Sequence, residues 1–201
     1  MAGKMAGKWA RRGRLVVAGL LLGAVLAGCA GQVDPVPRKS YESATKGLSE
    51  SQLYDLAVSQ YRQLFEIFKQ LEFQGGSPQL PETAGSYVMD PAWSAINKTY
   101  SGMYFNRNKY VNTPDYRIVA IEAWETDDLS TSTVTAIHTC ELMQGAAMVN
   151  PAGEVLQDGS PVIMHRRGYF KFDLSDGKLK VFILNGEAVE TCPINLTDNF
   201  R

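Results

Sequence analysis

Histidine and cysteine are scarce in this chain, two and three residues out of 201. With so few ligands, and no Cys-x-x-Cys pair, a metal centre has little to be built from. There is no glycine-rich phosphate loop, no His-Glu-x-x-His helix and no Gly-x-Ser-x-Gly elbow. These gaps remove common marks of nucleotide binding, zinc-peptidase and serine-hydrolase chemistry, and neither metal nor cofactor is expected. Acids are missing from the first 28 residues, which carry Lys4, Lys8, Arg11, Arg12 and Arg14. A long hydrophobic run is missing too. Residues 15–26 are unbroken small and apolar, yet 12 residues fall short of the about 20 that span a bilayer.

A basic stretch, a short apolar stretch and small residues, in that order, form an export signal. Residues 26–29 read Leu-Ala-Gly-Cys, which resembles the lipobox of bacterial lipoproteins. The resemblance implies that residues 1–28 are a signal peptide removed before Cys29, and that the Cys29 thiol carries a diacylglyceryl group. Two acyl chains anchor stably where one binds only marginally. The expected location is therefore the outer face of the cytoplasmic membrane. A short uncleaved transmembrane helix is the alternative. Cleavage would leave 173 residues, one domain's worth. Losing five of 20 bases and none of 21 acids leaves a net charge of −6. That balance argues against nucleic acid and anionic lipid headgroups as main partners.

Beyond Cys29 two cysteines remain, Cys140 and Cys192. An even number of thiols in an exported chain reads as a disulfide, because nothing outside the cytoplasm keeps them reduced. The other reading is a reactive thiol or a metal ligand.

Residues 29–47 are polar, with Pro35 and Pro37 and no apolar period, and read as a lipidated flexible tether. Ser49 and Gln52 have the form of a capping box. Leu53, Ala57, Tyr61, Leu64, Phe68 and Leu71 then recur at steps of four and three, which predicts a helix to about Phe73. Asp90-Pro91 predicts the start of a second helix of about 16 residues, with Trp93, Ile96, Tyr100 and Met103 on one stripe. From residue 116 the period changes to two. Segments 116–126, 131–141, 147–157, 161–174 and 178–185 read as strands, punctuated by Asp127-Asp128, Asp158-Gly159 and Asp176-Gly177, with Asn185-Gly186 as a tight-turn signal. Helices first and hairpin-linked strands afterwards give the α+β class. Two N-terminal helices should pack on an antiparallel sheet of about 5–6 strands across residues 48–195, leaving a tail at 196–201.

The order of two helices then strands carries a further likeness. So do Thr139-Cys140 at a strand end, Arg166 and Arg167 in the long strand, the hairpin Asp176-Gly177-Lys178-Leu179-Lys180-Val181, and the closing Cys192. Together they resemble small secreted lipoproteins of actinobacteria, or of their phages, that share the nuclear-transport-factor/ketosteroid-isomerase type of fold. That resemblance implies a curved, cone-like sheet under the helices. The fold hosts isomerases, dehydratases and non-catalytic binders, so it confers no activity by itself.

Candidate residues follow from position. His138 reads as a pocket base or as a hydrogen-bonded structural histidine, and His165 as a surface residue. Arg166 falls on the apolar side of its strand, between Met164 and Phe170. A cation there must be paired or face a wet cavity, so it is either an anion clamp or the partner of an acid such as Glu141 or Glu122. Glu122 alternates with Ala120 and Trp124 and is a candidate in-facing carboxylate. Trp93, Trp124 and Tyr169 would surround the mouth of the cone. The favoured reading is a non-catalytic, lipid-anchored envelope module that binds a protein partner or a small apolar ligand. One alternative is an isomerase or dehydratase using His138 or Glu122; another is a phage-encoded envelope protein that excludes a second infection.

Overall fold

Ser49 starts the longest element. Its hydroxyl accepts from the Gln52 N–H and the Gln52 side chain accepts from the Ser49 N–H, a reciprocal cap ahead of helix α1, Glu50–Gln74. The predicted stripe is buried along its whole length, with Phe65 and Ile67 beside it. Gly75 ends α1 in the left-handed conformation and Gly76 follows at φ 89. A Cβ on Gly76 would stand 2.2 Å from the Tyr100 carbonyl oxygen, so only glycine lets the end of α1 lie against helix α2, Ala92–Phe105. The N-cap of α2 is Pro91, one residue later than predicted, and Asp90 stands just before it, its carboxylate accepting from the Ser94 N–H and hydroxyl.

The structure is a computed structural model describing residues 45–124 and 133–194, all within the unit Val36–Arg201. The expected signal peptide, Cys29, residues 30–44 of the tether, the Asp127-Asp128 turn and the tail 196–201 lie outside the described residues. No helix among the described residues is long and apolar enough to cross a membrane. The folded body begins earlier than residue 48. Thr45 is buried, and the Lys46 ammonium lies 4.4 Å from the centre of the Phe172 ring while donating to the Gly177 carbonyl.

The strands are β1 (Lys109–Tyr110), β2 (Asp115–Ala123), β3 (Thr135–Gln144), β4 (Met148–Val149), β5 (Val155–Gln157), β6 (Val162–Phe172) and β7 (Leu179–Val189). They form two antiparallel sheets, β2-β3-β6-β7 and β1-β4-β5, where the sequence predicted one sheet of five or six strands. The long strands break at one level. Pro114 has no N–H to give between β1 and β2, while Gly145 and Gly159 take positive φ beyond β3 and before β6. A hydrogen bond from the Gly145 N–H to the Gly159 carbonyl bridges that break.

Both helices cover one face, as an α+β helix-on-sheet arrangement requires. Tyr116, Ile137, Met143, Phe170, Leu179 and Val181 share a core with α1 and α2. On the other face a small cluster joins Ala120, Cys140 and Ile194. Cys140 and Cys192 form a disulfide with Cα atoms 5.9 Å apart. Because β3 runs on to Gln144, Cys140 sits mid-strand on an inner strand. The bridge therefore ties the segment after β7 across the helix-free face. Asn185-Gly186 is not a turn. It lies inside β7, opposite Arg167 and Arg166, where a Cβ on Gly186 would stand 3.3 Å from Arg166 Cγ. This glycine makes room for a side chain rather than for a left-handed backbone.

Candidate functional site

Two polar clusters flank the four-stranded sheet. On the helix side Glu141, fully buried in β3, receives three donors. The Tyr61 hydroxyl of α1 donates to Oε1; the Tyr116 hydroxyl donates to Oε2 at 2.6 Å, and Arg166 Nε–H does so at 2.8 Å. Register explains the meeting. Glu141 pairs with Met164 and Ile118, so Arg166 comes to it diagonally from β6, and Tyr116 lies two residues from Ile118 on the same face. Of the two predicted partners for Arg166, the acid is Glu141. The guanidinium also lies over Phe68, 5.6 Å from the ring centre. Burial alone would lower the pKa of Arg166, but Glu141 and the surrounding tyrosines reverse that and hold it charged. Burial first, then Glu141, raises the Tyr61 and Tyr116 hydroxyls well above their ordinary range, so both remain donors.

A second acid adjoins this cluster. Burial raises the pKa of Glu72, opposed by Arg166 and by the hydroxyls of Tyr100 and Tyr110. Aromatic rings pack beside this cluster between helices and sheet. Phe65 meets Tyr116 edge-on at 4.7 Å and Phe68 meets Tyr100 at 5.9 Å. Trp93 packs partly buried on this same core.

The helix-free face holds the second cluster. A bulge between Ile118 and Ala120 shifts β2 so that Glu122 stands opposite His138, and Glu187 stands opposite His165. His138 Nε2 is 3.8 Å from Glu122, His165 Nδ1 is 3.7 Å from Glu187, and the two rings approach with His165 Nε2 3.4 Å from His138 Nδ1. Arg167 reaches Glu187 at 2.5 Å and lies over Trp124, whose ring is 4.9 Å from that of His138. Tyr169 sits on this face too, opposite Ala136 and Ile183.

Several predicted placements change. Trp93 lies across the sheet from Trp124 and Tyr169, so the three do not surround one opening. Glu122 and His138 face away from the helices. His165 is not a surface residue; it is only 6% exposed, standing opposite Cys140 with the His138 ring and Glu187 against it. Sequence reasoning missed Tyr61 and Tyr116 as partners of Glu141, reading Tyr61 only as packing. A tyrosine within a buried stripe carries a hydroxyl that needs a partner, and that was the available signal. Among the described residues no three histidine, cysteine or carboxylate side chains converge to hold a metal ion. No protein-family model and no curated protein sequence matches the chain.

The histidine pair has a pH signature. Burial lowers the pKa of both below 6.5; His165 and Arg167 add to this at His138, and Arg167 at His165, while Glu122 and Glu187 oppose it. The unfolded chain then binds protons more readily than the native one. Stability contributed by the neutral pair is complete above about pH 6.5 and is lost as pH falls through the native pKa values. Imidazole titration by NMR should give both midpoints below 6.5; midpoints above 6.5 would contradict this packing.

Proposed function

We propose that this chain is a lipid-anchored module of the cell envelope that works by binding a protein and not by catalysis. Cys29 would hold it at the outer face of the cytoplasmic membrane, as its lipobox-like sequence implies. We also read the kinked strands under two helices as the cone of the nuclear-transport-factor/ketosteroid-isomerase type. The observation that carries the functional reading is the occupied interior. An isomerase or dehydratase needs an in-facing carboxylate or histidine with space above it for substrate. Here Glu141 is fully buried and already accepts from Tyr61, Tyr116 and Arg166. The small-ligand variant of the reading loses support for the same reason, which leaves a protein partner.

The test uses the full chain in a lipoprotein-processing bacterium, labelled with palmitate and compared with Cys29→Ala. Expected results are label on the native chain only, and an envelope protein co-purifying from detergent at a level the variant does not reach. Absence of label, or recovery of no protein above the Cys29→Ala control, overturns the reading.

A further inference from the structure

Strand β7 is an edge of the four-stranded sheet. Its start is covered: Val181 donates its N–H to the Tyr87 carbonyl and accepts from the Met89 N–H. Farther along, residues 185–188 are exposed, and neither lysine nor proline stands between 183 and 189 to blunt the edge.

Alternation along the ladder decides which backbone groups face outward. The Phe170 carbonyl accepts from the Val134 N–H on the β3 side, so even-numbered residues of β6 turn their backbone toward β3. Arg166 is one of them, and Gly186, paired with it, therefore turns its N–H and carbonyl to the open side. Ala188, paired with Met164, does the same.

The side chains at this level add a charge. On the helix side the row runs Thr139, Arg166, Gly186. Among the described residues the Arg166 guanidinium has one acceptor, Glu141, which takes the Nε–H. Nη1 and Nη2 have none, and solvent reaches both. Nη1 stands 3.4 Å from the place a Gly186 Cβ would occupy, so the glycine leaves it uncovered toward the edge. Glu141 also accepts from two tyrosine hydroxyls, which leaves the guanidinium free to hold a second carboxylate by its terminal nitrogens.

These features fit one kind of occupant. Outward N–H and carbonyl groups on a strand edge are matched by another extended chain. Such a chain lies about 4.8 Å beyond β7, and its residue opposite Gly186 projects on the helix side. An acidic side chain there passes over the glycine to Nη1. A lipid headgroup or a small free acid would satisfy the guanidinium but not the strand edge.

Resting on the reading of a protein-binding module, we propose that the partner adds an extended segment to the open end of β7. That segment places a carboxylate opposite Gly186, where it pairs with Arg166.

The experiment is photo-cross-linking in intact cells, with p-benzoylphenylalanine replacing Asn185 in the full-length chain. Asn185 is exposed, and its side chain lies on the face away from the Arg166 row. A second probe replaces Leu174, exposed on the β6–β7 hairpin. The expected result is one protein adduct from position 185 and none from 174, with aspartate or glutamate in the cross-linked peptide. Ala188→Pro removes an outward N–H and no bond to β6, and should cut the adduct at least tenfold. Changing the mapped acid of the partner to its amide should do the same. That second change leaves this chain unaltered, so it decides the matter even where the proline variant fails to fold. An adduct that withstands either change, a peptide without an acid, an equal adduct from position 174, or an adduct to a second copy of the chain overturns the proposal. No adduct from position 185, with a protein still co-purifying above the Cys29→Ala control, overturns the site and leaves the binding reading standing. No protein recovered by either route overturns both.

Discussion

Replacing Arg166 with methionine should destabilise the protein by about 3 kcal/mol, the lower end of the loss found when one partner of a buried ion pair is removed, since Glu141 is fully buried while Arg166 keeps 21% exposure. Glu141 has no route to water: its side chain is fully buried, with Tyr61 and Tyr116 holding it in place. Without the guanidinium, two tyrosine hydroxyls alone would have to compensate a buried carboxylate. Methionine keeps the contact with Phe68, so the loss reports on charge more than on packing. For a chain of this size the midpoint of thermal unfolding should fall by on the order of 10 °C. Adding Glu141→Gln should recover much of the loss, because an amide still accepts from a tyrosine hydroxyl and carries no charge to strand. The two changes would then be strongly non-additive, as expected within one hydrogen-bonded network. Denaturant unfolding of the two single variants and the double variant measures it. A single Arg166→Met variant within about 1 kcal/mol of the wild type would show that the pair is solvated and that the interior is not closed.

The same pair shows how far the sequence could be read. Apolar periodicity placed Arg166 on the core side of β6, since Met164, Phe170 and Phe172 flank it at even steps, and burial then required either an acid or a wet cavity. Which acid depended on strand register, which is set between distant segments and is invisible along any one of them. The bulge after Ile118 sent Glu122 to the other face and left Glu141 as partner. Helix α1 was legible almost to the residue because its cap and stripe are local. Asn185-Gly186 misled for the opposite reason. Its local chemistry is that of a turn, but pairing of β7 with β6 continues through it, and its glycine answers to the bulk of Arg166. His165 was misjudged because alternation identifies the face away from the helices but not what later covers it. That cover comes from His138 and Glu187 on the neighbouring strands, with the Cys192 segment tied to Cys140 beside it.

Removing the disulfide by Cys140→Ala with Cys192→Ala should be the other large loss. A crosslink closing 52 residues restricts the unfolded chain by about 4 kcal/mol in the chain-entropy model. The native state loses something as well, since the bridge holds Ile194 on Ala120 and Cys140 on the helix-free face. Those two contributions can be separated. An effect confined to the unfolded chain would lower the denaturant midpoint and leave the histidines untouched. Release of the C-terminal segment would also hydrate His165 beside Cys140, easing the burial that lowers its pKa and moving its NMR titration midpoint toward 6.5. Both shifts are expected together. An unchanged denaturant midpoint would remove the bridge as a source of stability. A lowered midpoint with unmoved histidine titration would instead assign the whole effect to the unfolded chain, with Ile194 still packed on Ala120 and Cys140 without the bridge.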